Sequence, residues 1–489
     1  MSKVYRPALK KALTSIDVFV TGFGALIGWG WIVLWGEFIY RAGVLMTVVG
    51  YLIVLALMLF IGFVYGELAS MMPVAGGELA FAFRAFGPRL CYITGWFMAV
   101  AYIALVMFEA ASVPHIFAYL FPEVFKTSPL YSVAGYNVYL PMVLFGAALG
   151  VLWTFVNYIG ARPYGIVMTA MTLLFAAVGF STFLAGISQG IATPQYVHNF
   201  VTNLTGELPP ALGLSLVLGL AGFFYIGFDM IPQAAEEYKY ESRKLARLIT
   251  FSITIGTLWY LLVTLLDGFL LPREIIPKLD MPTADAVATA WGPLGRYVVV
   301  FVGIFGILTT YVASFYAAVR VIFSLARAKL LLEWFSRVHP RYGVPSYATL
   351  FVGALAVIAT LFGRRSLVWF VDATSAYVAL LYLMTCLAFI KLRRSEPQAE
   401  RPYRAPLGVI AGVIGAIASI MIFVSVITPG FPAALVWPEE YVIFLVFLVM
   451  GIVFYLLTPY ARRKISAEEI AHLVLGEYMS KKHSSRSSM

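Results

Sequence analysis

The chain has 489 residues, of which 61% are hydrophobic, 16% aromatic and only 12% charged, with a formal net charge of +10. Soluble globular proteins carry about 25% charged residues, so this chain has too few charges to cover a water-facing surface. The composition excludes an ordinary soluble protein and indicates a polytopic α-helical membrane protein. The sequence also lacks the strand-length alternation that is typical of a membrane β-barrel.

Apolar runs long enough to cross a bilayer, about 20 residues each, follow one another along the whole chain. We predict twelve spanning helices, at 15–39, 43–72, 89–120, 138–158, 163–188, 208–236, 247–271, 294–330, 346–363, 367–392, 406–428 and 439–458. Residues 189–207 are predicted to form an outer loop. The tail after residue 458 is predicted to contain a short helix, followed by a disordered end rich in Ser and Lys.

The distribution of Lys and Arg predicts the orientation, because cytoplasmic loops of membrane proteins carry an excess of both residues. With the N-terminus inside, 27 of these residues lie in inner segments and 7 in outer segments. We therefore predict a multi-pass protein of the cell membrane whose two ends, residues 1–14 and 459–489, are both cytoplasmic. The charge of +10 is mostly this bias, so the lipid bilayer is an expected partner and nucleic acid is not. The sequence leaves the oligomeric state open.

Glycines interrupt two of the predicted spans. Four fall within residues 22–30 of the first span, and three within residues 219–227 of the sixth. Glycine weakens a helix interior, although a lone pair of glycines is explained by close helix packing. Interruptions at corresponding positions of two halves instead point to a transporter binding site. The reason is that half-helix N-termini offer N–H groups to an anion, and half-helix C-termini offer carbonyls to a cation.

Motifs for enzyme chemistry are missing from the sequence. It has no H-E-x-x-H, no P-loop and no G-x-S-x-G, and its five histidines show no metal-binding spacing. Cys91 and Cys386 lie far apart in apolar surroundings, where a free cysteine packs as a small apolar residue. The sequence therefore predicts neither an enzyme nor a primary pump, and no resident cofactor.

Several motifs carry a family resemblance. The first span, GALIGWGWIVLWGEFIYRAG, resembles the G-x-x-I-G-x-G opening of the amino acid–polyamine–organocation superfamily of amino acid permeases. Further resemblances, reaching to about residue 460, are YGELASMMPVAGGELAFAFRAFG, VNYIGARPYG, FFYIGFDMIPQAAEEYKYESRKLARLI, RVIFSLARAKLLLEWFSRVHPRYGVP and ERPYRAP. The resemblance implies an all-α, leucine-transporter-like fold. Inverted five-helix repeats would occupy 15–188 and 208–392, with helices 1 and 6 broken, and two extra helices would occupy 406–458. It also implies ion-coupled transport of amino acids or related amines by alternating access.

The resemblance and the two interruptions together predict a substrate pocket. The carboxylate would bind three backbone N–H groups, those of Gly28, Trp29 and Gly30. The α-ammonium would bind three carbonyl groups, those of Leu26, Phe223 and Ile226. The ring of Phe223 would cover the substrate, although Trp29 and Phe223 could simply be packing aromatics. Ser314 and Thr374 match positions that read the substrate side chain, or their hydroxyls bond to their own helices.

Ionisable residues within spans are functional candidates. Asp229 either caps the half-helix that follows it or, by resemblance, serves as an inner-gate acid opposite Tyr382. Glu109, assigned to the gate with these two, would select a cationic substrate or line the outer vestibule, or it is simply a paired or water-facing acid.

Other acids lie at the ends of the predicted spans. Glu236 and Glu237, close in sequence to two basic residues, are predicted to form a solvated charge cluster at the inner end of the sixth span. Glu37 and Asp372 lie at outer ends and are predicted to line the vestibule.

The coupling ion is predicted from the first and eighth spans. By resemblance to sodium-coupled members of the fold, five oxygens would hold a sodium ion: the carbonyls of Gly24, Ile27 and Gly306 and the hydroxyls of Thr309 and Thr310. Paired threonines in a membrane helix also bond to their own backbone, and a buried Asp229 could carry a proton instead. The fifth span lacks the lysine that some proton-coupled relatives place there. We rank sodium before the proton and ion-free exchange third, and a channel-like or receptor-like protein is the competing class.

Overall fold

A computed structural model describes residues 6–133, 136–362, 364–458 and 465–478, except the side chains of residues 136, 221–223 and 364–368. The helices are α1 (Ser15–Leu26), α2 (Gly30–Val33), α3 (Trp35–Glu37), α4 (Gly43–Met71), α5 (Glu78–Phe86), α6 (Pro88–Leu120), α7 (Pro122–Phe125), α8 (Leu140–Tyr158), α9 (Ala161–Ala192), α10 (Pro194–Asn203), α11 (Pro210–Phe224), α12 (Met230–Gln233), α13 (Arg243–Leu270), α14 (Pro282–Arg327), α15 (Ser346–Ala359), α16 (Arg364–Ser395), α17 (Val409–Ile427), α18 (Glu439–Leu457) and α19 (Ala467–Leu475). A π-helical turn covers Phe38–Ala42, and 3-10 turns cover Ala235–Glu237, Arg273–Lys278, Glu333–Ser336 and Gly476–Tyr478.

The described part of the chain is an all-α polytopic bundle apart from one hairpin. Ten of its helical segments are long and apolar enough to cross a membrane. The sixth and ninth predicted spans correspond to shorter apolar helices, within α11 and α15. The prediction of twelve spans arranged as two inverted repeats stays a prediction.

Three elements differ from the sequence prediction. The segment 189–207, predicted to be an outer loop, is mostly helical, because α9 runs on to Ala192 and α10 follows, with Pro194 in its first turn, where a missing N–H costs nothing; its outer location stays a prediction. An unpredicted antiparallel hairpin pairs β1 (Pro129–Val133) with β2 (Tyr136–Tyr139). An unpredicted helical segment from Pro282 precedes the eighth span within α14, and non-helical Gly292 separates it from the predicted span that begins at residue 294.

The interruptions of the first and sixth spans pack against each other. The first span is non-helical between Leu26 and Gly30, and the sixth between Phe224 and Met230. Gly227 lies in the second gap with φ +147°, where a Cβ atom would be only 2.7 Å from the backbone nitrogen of Leu26. Only glycine suits that conformation and that approach.

The two ends of the chain meet on one side of the bundle. The backbone N–H groups of Ala12 and Leu13 donate to the carbonyl of Glu237. The Nε of Arg6 donates to the carbonyl of Leu473 in α19 at 3.1 Å. The short helix predicted in the tail is therefore present as α19, whereas the predicted disordered end after residue 478 lies outside the described residues.

Candidate functional site

A cavity of about 420 Å³ lies at the two interruptions. The predicted site residues that line it are Leu26, Gly28, Trp29, Gly30, Glu109, Ile226 and Thr310. Lining residues that the sequence reasoning did not assign to the pocket include Phe224, Tyr260, Ser375 and Glu440. The volume is within the range of about 300–1,000 Å³ that is usual for small-molecule pockets.

The first interruption presents free backbone donors at this cavity. Within the described residues, the N–H groups of Gly28, Trp29 and Gly30 donate to no protein acceptor. The donors that follow are satisfied, since Ile32 N donates to the carbonyl of Trp29 at 3.0 Å and Leu34 N to that of Gly30 at 2.8 Å. Free N–H groups where a helical path begins form a cradle for an anion.

Tyr260 of α13 joins the carbonyl ends of both interruptions. Its hydroxyl oxygen lies 2.6 Å from the carbonyl oxygen of Leu26 and 3.0 Å from that of Phe224. Its ring is fully buried and stacks on that of Trp35. The carbonyl of Leu26, predicted to bind the ammonium, thus already accepts one hydrogen bond. Nothing in the apolar run around Tyr260 distinguishes it in the sequence.

The two predicted aromatics differ in what the structure describes. Trp29 is buried, lines the cavity and also packs on α14, where a Cβ atom at Gly303 would lie 2.5 Å from its ring. Lining and packing therefore coexist at Trp29. The side chain of Phe223 lies outside the described residues, so its role as a cover stays a prediction.

Ser314 and Thr374 are buried and turned toward their own helices. Ser314 Oγ donates to the carbonyl of Thr310 at 2.7 Å, and Thr374 Oγ1 donates to that of Val371 at 2.8 Å. Neither is among the described residues that line the cavity, whereas Ser375 is. Both hydroxyls therefore bond to their own helices, which was the alternative explanation for these two residues. Their role in contacting the substrate side chain stays a prediction.

The charged side chains that line the cavity are all acidic within the described part of the chain. Glu109 is buried close to the first interruption, where a Cβ atom at Gly28 would lie 3.7 Å from its Oε1. Glu37, Asp372 and Glu440 line the cavity as well. Glu37 is already paired with Arg41 at 2.6 Å, and the remaining acids favour a ligand with a positively charged group.

Asp229 does not cap α12, although it directly precedes that helix. Its Oδ1 accepts from the backbone N–H of Gly227 at 2.7 Å, and its Oδ2 accepts from the Tyr102 hydroxyl at 2.6 Å. The ring of Tyr382 lies 5.5 Å from that of Phe228, and its buried hydroxyl has no hydrogen-bond partner among the described groups. The direct partner of the acid is Tyr102, which the sequence reasoning missed, and the gate role of Asp229 and Tyr382 stays a prediction.

The structure brings the first and eighth spans together at the predicted sodium ligands. Thr309 Oγ1 lies 2.9 Å from the carbonyl oxygen of Gly24 and 2.8 Å from that of Gly306. Thr310 Oγ1 lies 3.2 Å from the carbonyl oxygen of Ala25 and 3.1 Å from that of Gly306. These are hydrogen-bonding distances, so a sodium ion would have to replace hydroxyl–carbonyl bonds that are already formed.

Two neighbours complete this region. A Cβ atom at Gly306 would lie 2.7 Å from the carbonyl oxygen of Ile27, so glycine allows the close approach of α14. Thr172 of α9 reaches toward Gly24, and its buried hydroxyl has no described partner. The oxygen atoms suit a hard cation by chemistry, and their use as ion ligands stays a prediction.

Glu236 and Glu237 are buried in ion pairs, so the prediction of a solvated cluster is wrong. Glu237 Oε1 accepts from Arg320 Nε at 2.7 Å and from the Tyr316 hydroxyl at 2.9 Å. Glu236 pairs with Arg327 at 2.8 Å. The sequence suggested nearby basic residues as partners, but α14 supplies both arginines. These pairs join the sixth and eighth spans on the side of the chain ends.

Residues 13–455 match a family model described as amino acid permease. The chain is 27% identical over 469 residues to the branched-chain amino acid permease BcaP of Bacillus subtilis (strain 168), covering 93% of this chain and 94% of that protein. It is 24% identical over 437 residues to the methylthioribose transporter of the same organism, covering 84% and 87%. It is 28% identical over 366 residues to cationic amino acid transporter 7, chloroplastic, of Arabidopsis thaliana, covering 72% and 61%.

Proposed function

Because the chain belongs to the amino acid permease family, and is therefore a transporter rather than an enzyme, we propose that it is a secondary carrier of amino acids or related amines. It works by alternating access across the cell membrane and is coupled to an ion. Two of the named relatives are amino acid transporters and one carries methylthioribose, so the family by itself leaves the substrate open.

The observation that carries the proposal is the presence of backbone donors and backbone carbonyls among the residues that line one cavity. The N–H groups of residues 28–30 have no described acceptor, and the carbonyls of Leu26 and Phe224 meet at the Tyr260 hydroxyl. An α-amino acid carries a carboxylate and an ammonium a few bonds apart, and this arrangement complements both. The acidic lining of the same cavity favours the ammonium end.

The positions of the polar clusters support the proposed orientation. Glu37, Asp372 and Glu440, at predicted outer ends of spans, line the cavity. The ion pairs of Glu236 and Glu237 lie on the side of the chain ends, which we take as cytoplasmic. The described conformation is then open toward the outside and closed toward the cytoplasm.

A thermal-stability screen of the purified protein over all amino acids and common amines is the first test. A ligand that binds the folded state raises the melting temperature. At a ligand concentration of a hundred times its Kd, the free energy of unfolding rises by about 2.7 kcal/mol. Counterflow of the identified ligand into proteoliposomes is the second test. Saturable counterflow is expected of a carrier, whereas a channel would give flux without counterflow and would contradict the proposal.

Ion coupling is tested separately from transport. Uptake is measured with a sodium gradient at equal pH, and then with a pH gradient without sodium. A protein that shows counterflow but whose uptake responds to neither gradient would be an exchanger without ion coupling. The predicted sodium ligands lie within hydrogen-bonding distance of one another, and a hydroxyl that donates its proton keeps lone pairs for a cation, so these gradients decide between sodium and the proton.

A further inference from the structure

Two carboxyl groups are buried between the cavity and the ion pairs of the inner side. Glu78, the first residue of α5, is fully buried, and its Oε2 accepts from Gln233 Nε2 at 2.6 Å. Asp229, four residues before Gln233, is also fully buried and is held by Tyr102 and the backbone of Gly227. We call Glu78 and Asp229 the inner carboxyl pair.

Among the described residues, no cation compensates the inner carboxyl pair. Neither acid forms an ion pair with any described residue. The titratable groups that face both acids are three tyrosines: Tyr65 of α4, Tyr102 of α6 and Tyr382 of α16. Arginines on helices packed nearby are engaged elsewhere: Arg84 with Glu396, Arg320 with Glu237, Arg327 with Glu236 and Arg393 with Glu67. The helix α19, which packs on α5, carries Glu468, Glu469 and His472.

Two ionised carboxylates in this setting would be costly. An unpaired buried charge is strongly unfavourable, and a second like charge nearby adds to the cost. Asp229 receives two hydrogen bonds, which stabilise its ionised form. Glu78 receives one from Gln233, and its own backbone and the Tyr65 hydroxyl also favour its ionised form. Burial, followed by the charge of Asp229, outweighs these effects and raises the pKa of Glu78 well above its usual range.

Unsatisfied atoms mark where a proton would sit. Glu78 Oε1 and Gln233 Oε1 are buried and have no hydrogen-bond partner in the described part of the chain. Buried polar atoms are otherwise bonded in the large majority of cases. A proton on Glu78 Oε1 removes one uncompensated charge and turns an orphaned acceptor into a donor. The amide nitrogen of Gln233 already bonds Glu78, and the oxygen of the same amide can accept the proton that Glu78 would donate.

We propose that the inner carboxyl pair binds the coupling proton of this carrier, with Glu78 protonated and Asp229 ionised while the inner side is closed. The inference rests on the proposed carrier function. When the inner side opens, water reaches the pair and solvates both carboxylates, so the Glu78 proton leaves to water on the cytoplasmic side. Glu78 takes up its next proton from water on the outer side after the inner side has closed, so one proton crosses the membrane for each opening with substrate.

The transport test compares two quantities in proteoliposomes for the ligand found in the thermal screen. These are accumulation driven by a pH gradient, acidic outside, and counterflow without any gradient. In Glu78→Gln we expect the pH gradient to drive no accumulation. The ratio of accumulation to counterflow should therefore equal the ratio measured when no pH gradient is imposed. The control Asp267→Asn removes a buried carboxyl that bonds Thr283 outside the pair, and it should keep the wild-type ratio. A wild-type ratio in Glu78→Gln overturns the proposal, whereas absent counterflow in the wild type speaks against the carrier function instead.

A spectroscopic test needs no transport. At neutral pH the wild type should show the infrared C=O stretching band of a protonated carboxyl. In Glu78→Gln part of this band should be missing, and no additional carboxylate band should replace the missing part. If Glu78→Gln does not fold, Gln233→Leu replaces it, because loss of the amide should shift the frequency of the Glu78 band. An unchanged band in whichever variant folds overturns the proposal.

Discussion

The hydroxyl of Tyr260 donates to the carbonyl of Leu26 at an oxygen–oxygen distance of 2.6 Å, where the first span is interrupted. The same hydroxyl oxygen lies 3.0 Å from the carbonyl oxygen of Phe224, where the sixth span is interrupted. One side chain of α13 thus links the two carbonyl ends at the cavity. Since its single proton goes to a carbonyl, its oxygen keeps a lone pair that can accept from an ammonium.

Substitution of Tyr260 tests this link. We expect Tyr260→Phe to weaken substrate binding and to lower stability by about 1–3 kcal/mol, because the buried carbonyl of Leu26 loses its donor. Binding is measured by calorimetry and stability by thermal unfolding. Tyr92→Phe is the matched control, since Tyr92 is also buried but its hydroxyl donates to the carbonyl of Gly451 in α18, away from the interruptions. Equal affinity in the two variants would contradict a role of Tyr260 at the site.

The anion cradle is tested at its glycines. A Cβ atom at Gly28 would lie 3.3 Å from Thr310 Oγ1, which is tight, and the branches of valine would also cover the free N–H groups. We expect Gly28→Val and Gly30→Val to insert into the membrane but to lose uptake and the ligand-induced rise in melting temperature. Gly28→Ala should be milder. Wild-type uptake by a well-expressed Gly30→Val would argue against this site.

The buried ion pair of Arg320 and Glu237 should be far more sensitive than an exposed pair. Both side chains are 1% exposed, and removal of one partner from such a pair costs about 3–5 kcal/mol, because the other charge is left unpaired. We expect a large drop in the melting temperature of Arg320→Ala. Arg296→Ala is the control, because its pair with Asp285 is partly exposed and should contribute only about 0–1 kcal/mol. Similar losses in both variants would contradict the expectation.

Sodium and the proton predict different behaviour at Thr309. We expect uptake to follow a pH gradient and to ignore a sodium gradient at equal pH, because the buried carboxyl of Glu78 in the inner carboxyl pair is the proposed proton site. Thr309→Ala should then leave the ion dependence unchanged while it lowers stability. Sodium-stimulated uptake that disappears in Thr309→Ala would instead assign the ion to the five predicted oxygens.

Features that depend on residues close together in the sequence could be predicted from the sequence. Apolar runs of sufficient length indicate a membrane class, since any chain segment in lipid must satisfy its backbone internally. The glycines of 22–30 and 219–227 predicted interruptions where α1 and α11 in fact end. Motifs along the chain predicted the family that the comparison then showed.

Features that depend on partners distant in the chain came only from the tertiary structure. Tyr260 lies in an ordinary apolar run, and only the packing of α13 against both interruptions brings its hydroxyl to Leu26. Glu237 stands close to basic residues in sequence, yet its partner Arg320 comes from another helix. Glu78 is unremarkable until folding places Gln233 and Asp229 beside it. A side chain's charge state and hydrogen-bond partner are decided by what surrounds it in space, and local sequence does not contain that information.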